Sequence, residues 1–222
     1  MTLSNIFKKK IVIIIPAKNE YSNLLKLLPK LTLFKLDIIV VNDGSNDKTE
    51  TLSNKVPNLK IINLNKSVGY DNALKYGILE AKKKFKFVIT MDSDLEHDPK
   101  YLKIFIKNFK KDYDLIIGER DRKNRIVEII FGYFFKKVFN LNDIFCGFRG
   151  IKLEKLSKKH LKIKTIHLPE IIFSIHHKNK KTLNFKIKCK KRLGSSKFGN
   201  SFFGNIKLFL QILPIIFKKS TI

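Results

Sequence analysis

The stretch MDSDLEH, residues 91–97, sets two carboxylates, Asp92 and Asp94, one residue apart at the end of an apolar run. A strand that stops there presents both acids on one side of the chain, where their oxygens can share a hard divalent cation such as Mg²⁺ or Mn²⁺. A cation held in this way can bridge to a diphosphate. A competing reading makes Asp94 or Asp98 the cap of a helix that starts at Pro99. The triplet alone does not separate the two.

The elements that must position these acids are legible in the apolar pattern. Three β-branched runs, IVIIIP (11–16), DIIVVND (37–43) and KFVITMD (86–92), are continuous rather than alternating, as expected of strands buried on both faces of a parallel sheet. Between them Leu24, Leu27, Leu28 and Leu31 share one helical face, and Ala73, Leu74, Gly77, Ile78 and Ala81 share another. Further strands are expected at 59–64 and 114–118, with a helix at 99–109 between the third run and the last. This alternation predicts a doubly wound α/β sheet, whose ligands sit outside the carboxyl ends of the strands. Asn19 and Glu20, Asp43, Asp92 and Asp94, and then Glu119 and Arg120 all fall at such ends.

Beyond about residue 120 the alternation fades, and 126–141 reads as a Phe-rich amphipathic helix carrying Lys136 and Lys137. The apolar segment 202–217, with Lys207 and Pro214 inside it, is shorter than the roughly 20 residues of a spanning helix. The expected organisation is one catalytic domain over 1–200 and an apolar tail over 201–222 that associates with a membrane or caps the core.

The chain carries 46 Lys and Arg against 19 Asp and Glu, a net charge of +27 that favours polyanions. Only Arg120, Arg122, Arg125, Arg149 and Arg192 are arginines, and the lysines are scattered as on a solvated face. No zinc-ligand spacing, RNP-type aromatic pattern or acid-free basic helix accompanies the charge, which argues against a nucleic-acid-binding module. Cys146 and Cys189 are too few and too far apart for a disulfide framework, as in a reducing cytoplasmic compartment. The run 11–15 is too short for a signal peptide or a membrane span.

In order along the chain, PAKNE, VVNDGSND, NKSVGYDNA, MDSDLEHDP, GER, DIFCGFRG and GSSK resemble family 2 glycosyltransferases, in particular the dolichyl or polyprenyl phosphate mannose synthase branch. The resemblance runs from about residue 11 to 200. It implies the GT-A fold, a Rossmann-like, mostly parallel sheet flanked by helices, and transfer of a hexose with inversion from a nucleotide sugar, GDP-mannose or a UDP-hexose, to a polyprenyl phosphate. By the same resemblance Pro16, Glu20, Val41, Asp43, Asp92 and Ser93 bind the nucleotide sugar. Asp92, Asp94 and Glu96 would hold the metal, with Asp94 the catalytic ligand. His97 reads as a solvated loop residue.

The acceptor implied is a lipid phosphate that is already anionic, so cations rather than a base should engage it. Arg120, Arg125 and Arg192 fall on the family's basic positions as catalytic and phosphate-holding residues, with Ser196 and Lys197 completing the last motif. Asp143 and Arg149 match the D-x-x-x-G-F-R element, as an internal ion pair, a loop anchor or a substrate contact, and Glu170 aligns loosely with an acid near the sugar. Two positions depart from the pattern, Lys18 where the family usually has an aromatic residue and Asn42 where it usually has Asp.

The expected setting is peripheral, on the cytoplasmic face of a membrane. There the helix 126–141 and the tail would meet headgroups and acyl chains, or else pack in the core, and a membrane-anchoring partner subunit is a further possibility. A glycan or protein acceptor, and a non-catalytic relative, remain the other readings.

Overall fold

In the computed structural model, residues 3–122, 126–161, 168–177, 181–190 and 209–210 are described. After a short helix α1 (Leu3–Lys8), the chain runs β1 (Ile11–Ala17), α2 (Tyr21–Thr32), β2 (Asp37–Asn42), β3 (Leu59–Asn63), α3 (Tyr70–Ala81), β4 (Phe87–Thr90) and α4 (Leu102–Lys110). It continues through β5 (Leu115–Arg120), α5 (Ile126–Phe139), β6 (Arg149–Lys152), α6 (Leu168–His177) and β7 (Thr182–Ile187).

The strands form one sheet in the order β3-β2-β1-β4-β6-β5-β7. Pairing is parallel throughout except at β6, which runs antiparallel to both of its neighbours. The unbroken apolar runs acquire their meaning here. Val12, Ile14, Ile39, Val41 and Val88 pack toward one side with α3, whereas Ile11, Ile13, Ile15, Ile38, Val40, Phe87 and Ile89 pack toward α2 and α4 on the other. Gly77 lets α3 lie directly on the sheet, because a Cβ there would come within 2.5 Å of Ile14 Cγ2.

From β1 the chain builds outward to β2 and β3, then crosses back to place β4 on the other side of β1. The boundary between β1 and β4 is therefore the topological switch point, where open α/β sheets form their ligand crevice. Asp92 and Asp94 follow β4 at that boundary.

The second half departs from the expected fading of the pattern, since β6, α6 and β7 complete the sheet after residue 120. β6 is four residues, Arg-Gly-Ile-Lys, all buried. Gly150 in its middle makes room for Phe105 and Phe109 of α4, each of which a Cβ would approach to 2.7 Å. The expected helix 126–141 ends two residues early. Asn140 takes the left-handed conformation (φ 53°), and Leu141 N–H donates back to Phe135 O across the helix end.

Candidate active site

Asp98, not Asp94, serves as the cap: its side chain accepts from Lys100 N–H at 3.0 Å, ahead of a 3₁₀ turn at Pro99–Tyr101 that leads into α4. Asp94 instead accepts Glu96 N–H at 3.1 Å within its own turn, which Leu95 closes in the left-handed region (φ 67°). Asp92 is fixed from a different element, accepting the Tyr70 hydroxyl on Oδ1 at 2.7 Å from the first turn of α3. Burial, and then the Asp92 charge, hold the Tyr70 hydroxyl well above the ordinary phenol range against the opposing pull of Arg149, so it remains a donor. Tyr70 thus orients the carboxylate that the sequence singles out, although nothing in its position in GYDNA marks it as a site residue.

Two further neighbours shape Asp92. Gly147, in the loop before β6, lies so close that a Cβ would overlap both carboxylate oxygens, and Gly147 O accepts from Thr90 Oγ1 at 2.6 Å. His97 is only 2% exposed, which corrects its reading as a solvated residue. Its ring stacks on Phe148 at 5.1 Å, and Nδ1 sits 3.8 Å from Asp92 Oδ2.

The loops after β1 and β2 are laced to one another. Asn19 N–H donates to Ser45 Oγ (2.9 Å), Asn46 N–H to Asn19 Oδ1 (2.8 Å) and Tyr21 N–H to Asp47 Oδ2 (2.9 Å). Glu20 is nearly buried and accepts from Asn23 Nδ2 at 2.6 Å. Asp43 accepts Ser67 Oγ, Val68 N–H and Gly69 N–H, so its carboxylate organises the turn that starts α3. Asn42 explains its own departure from an acid. Its Nδ2 donates to Asn63 Oδ1 at 2.9 Å while its Oδ1 accepts Ser45 N–H, and an aspartate could do only the second. Pro16 and Val41 pair in register inside the sheet, with the Val41 side chain in the core beside Gly77. Ser93 is buried between the two acids.

At the end of β5 the arginine is already engaged. Arg120 Nε and Nη2 form a fork on Asp143 at 2.9 and 3.1 Å, Nη2 also meets Glu128 Oε2 at 3.1 Å, and the backbone N–H of Arg120 donates to Asp143 as well. Burial would lower the basicity of this guanidinium, but Asp143 and then Glu128 overcome it and hold the group above its usual value. Asp143 therefore pairs with Arg120 and not with Arg149. Arg149, 2% exposed, donates Nη2 to Ile144 O at 2.8 Å, while its Nε and Nη1 have no hydrogen-bond partner.

Glu170, in the first turn of α6, adds an acidic field at the buried Lys75 of α3. Cys146 and Cys189 are free and buried, and burial pushes the Cys189 thiol up to about 12. Arg125, Arg192, Ser196 and Lys197 lie outside the described residues.

A phosphate-serving Mg²⁺ or Mn²⁺ takes one or two protein carboxylates and completes its shell with phosphate oxygens and water. Asp92 and Asp94 fit that demand: both are held in place by hydrogen bonds from neighbouring groups, and Asp92 keeps a partly exposed side chain at the crevice. Among the described residues, no three of His, Cys, Asp and Glu gather into a metal-ligand cluster, so Glu96 does not complete a protein-only set.

A mostly parallel sheet with an acid-x-acid turn at its switch point is the plan of the GT-A glycosyltransferases, and solved structures agree. The glucosyl-3-phosphoglycerate synthase from Mycobacterium tuberculosis, in complex with Mn²⁺ and UDP-glucose, superposes with a TM-score of 0.73 at 12% identity, over 95% of this chain and 81% of that one. Residues 12–155 match the family described as Glycosyl transferase family 2, and the chain belongs to that family. An uncharacterized protein of Methanocaldococcus jannaschii is 31% identical over 65% of this chain and 72% of its own length. A dolichol-phosphate mannosyltransferase of Pyrococcus furiosus is 34% identical over 62% of this chain, but over only 40% of its own length.

Proposed function

We propose that this glycosyltransferase moves a hexose from a nucleotide sugar to a polyprenyl phosphate with inversion at the anomeric carbon, at a membrane surface. The observation that carries the reading is the Asp92–Asp94 turn at the switch point, relieved of capping by Asp98 and oriented by Tyr70. Likeness to the Pyrococcus mannosyltransferase supports the lipid acceptor, and the Mn²⁺ and UDP-glucose of the mycobacterial complex support a metal-assisted donor site.

In this scheme an acceptor phosphate oxygen forms the new bond to the anomeric carbon as the bond to the nucleoside diphosphate breaks. A divalent ion bound at the site would offset the charge that gathers on the leaving diphosphate. Asp92 and Asp94 would supply its anchoring oxygens, and Tyr70 and Gly147 keep Asp92 in one orientation. Glu20 and the laced loops after β1 and β2 form the mouth in which the nucleoside lies.

The acceptor is anionic before it binds, so no side chain need take a proton from it. Arg120 is committed to Asp143 and Glu128, and the task of holding the acceptor phosphate passes mainly to Arg125, Arg192, Ser196 and Lys197. The experiment is a panel of GDP- and UDP-sugars with Mg²⁺ or Mn²⁺ and a polyprenyl phosphate. Radiolabelled sugar that partitions into organic solvent is the expected product, and label that stays wholly in water-soluble glycan or protein would refute the lipid acceptor.

A further inference from the structure

The outward face of α5 presents an unusual surface. Ile126, Ile129, Ile130, Tyr133, Phe134 and Val138 fall at i, i+3, i+4, i+7, i+8 and i+12, one stripe along the helix, and each is 37% exposed or more. The inner face, with Phe135 and Gly132 buried, already satisfies the core. The helix is therefore apolar on both sides, and the outer side faces water. Phe209 packs its ring on Phe131 at 5.8 Å, and with Leu210 beside it, 57% exposed, extends the apolar patch.

The charges on α5 are sorted in the same direction. Its one acid, Glu128, is 3% exposed and turned inward onto Arg120, whereas Lys136 and Lys137 in the last turn are exposed, Lys136 with its ammonium 3.7 Å from Glu119 Oε1. Lys137 lies within the stripe, its ammonium 5.9 Å from the Tyr133 ring. An apolar stripe with outward lysines and no outward acid matches a surface that is apolar within and anionic at its rim. A second copy of this chain fits poorly, because two bodies of charge +27 repel.

We infer that α5 is a membrane-docking helix that lies in the interface of an anionic lipid bilayer, its stripe among the acyl chains and its lysines at the headgroups. At 1.5 Å per residue the helix offers about 21 Å of contact. With 14 residues α5 is shorter than the roughly 20 of a spanning helix, so the contact is one of lying on the surface. The inference rests on the proposed function for its purpose. α5 leaves the end of β5 and is tied to it by Arg120–Glu128, so docking it brings the crevice to where a lipid-linked phosphate resides.

The test is co-sedimentation of the full chain with phosphatidylcholine vesicles, with and without phosphatidylglycerol. Wild type should bind the anionic vesicles and release at high salt. Ile130→Glu with Tyr133→Glu should cut binding about tenfold or more, and Lys137→Glu about fivefold or more. Urea midpoints should hold near wild type, because these side chains already face water. Anionic-vesicle binding by the double variant at the wild-type level would overturn the inference, as would wild type that stays in the supernatant, or a wild-type dimer that these substitutions split. A short-chain, water-soluble polyprenyl phosphate separates the two claims. Transfer to it without vesicle binding removes the docking helix and leaves the function, and α5-dependent vesicle binding without any transfer does the reverse.

Discussion

The turn after β4 and the end of β5 both carry charged residues at the crevice edge, yet they use their charge in opposite ways. Asp92 and Asp94 accept hydrogen bonds from neutral donors, the Tyr70 hydroxyl and the Glu96 N–H, which orient the two carboxylates without cancelling their charge. Arg120 is met by carboxylates from Asp143 and Glu128, so its charge is spent inside the protein. A charged residue at the right strand end is therefore a functional candidate only after its partners are known. Neutral hydrogen bonds preorganise a charge, and a counter-charge neutralises it.

The sharpest break in this contrast should come from stability. Arg120→Met removes the guanidinium that the buried Asp143 and Glu128 share and is expected to cost about 3–5 kcal/mol in urea unfolding. Asp94→Ala should spare most of that stability while transfer falls about 10²–10³-fold, the scale of losing a charge-stabilising group in the transition state. If the two variants instead exchanged these phenotypes, the contrast between the regions would collapse.

Smaller effects should refine it. Tyr70→Phe removes one hydrogen bond to Asp92 and should weaken Mn²⁺ affinity, read by calorimetry, about five- to tenfold. Asn42→Asp loses the donor to Asn63 and should lower stability by about 1 kcal/mol, with a smaller effect on metal binding.

Much of this could be read from the chain because the first half is locally consistent. IVIII, DIIVV and FVIT are short, β-branched runs between turn residues, which favours strands buried on both sides over buried helices. β6 escaped because Arg-Gly-Ile-Lys has no apolar run. Its place is set by pairing on both edges, by Gly150 yielding to Phe105 and Phe109, and by Lys152 finding Asp112 at 2.8 Å. β7, Thr-Leu-Asn-Phe-Lys-Ile, is an edge strand whose weaker alternation says little until β5 lies beside it.

The site was legible as a set of residue types and less so as a set of partners. That Asp92 and Asp94 follow a buried strand is legible in the apolar run that ends before them. That Asp98 takes the cap, that Asp43 binds the turn at 67–69, and that Asp143 chooses Arg120 over Arg149 are matters of separations across 2 to 26 residues, which spacing does not encode. Tyr70 and Gly147 were missed for the same reason, since their importance lies in what Asp92 does beside them.

The central claim, that the β4 turn is a metal-dependent donor site, is tested most directly by calorimetric titration of nucleoside diphosphate with and without Mn²⁺, on wild type and Asp94→Ala. The account predicts binding by wild type that strengthens at least tenfold with Mn²⁺ and a variant in which Mn²⁺ makes no difference. Equal strengthening in both proteins, or metal-independent binding by wild type, would contradict it.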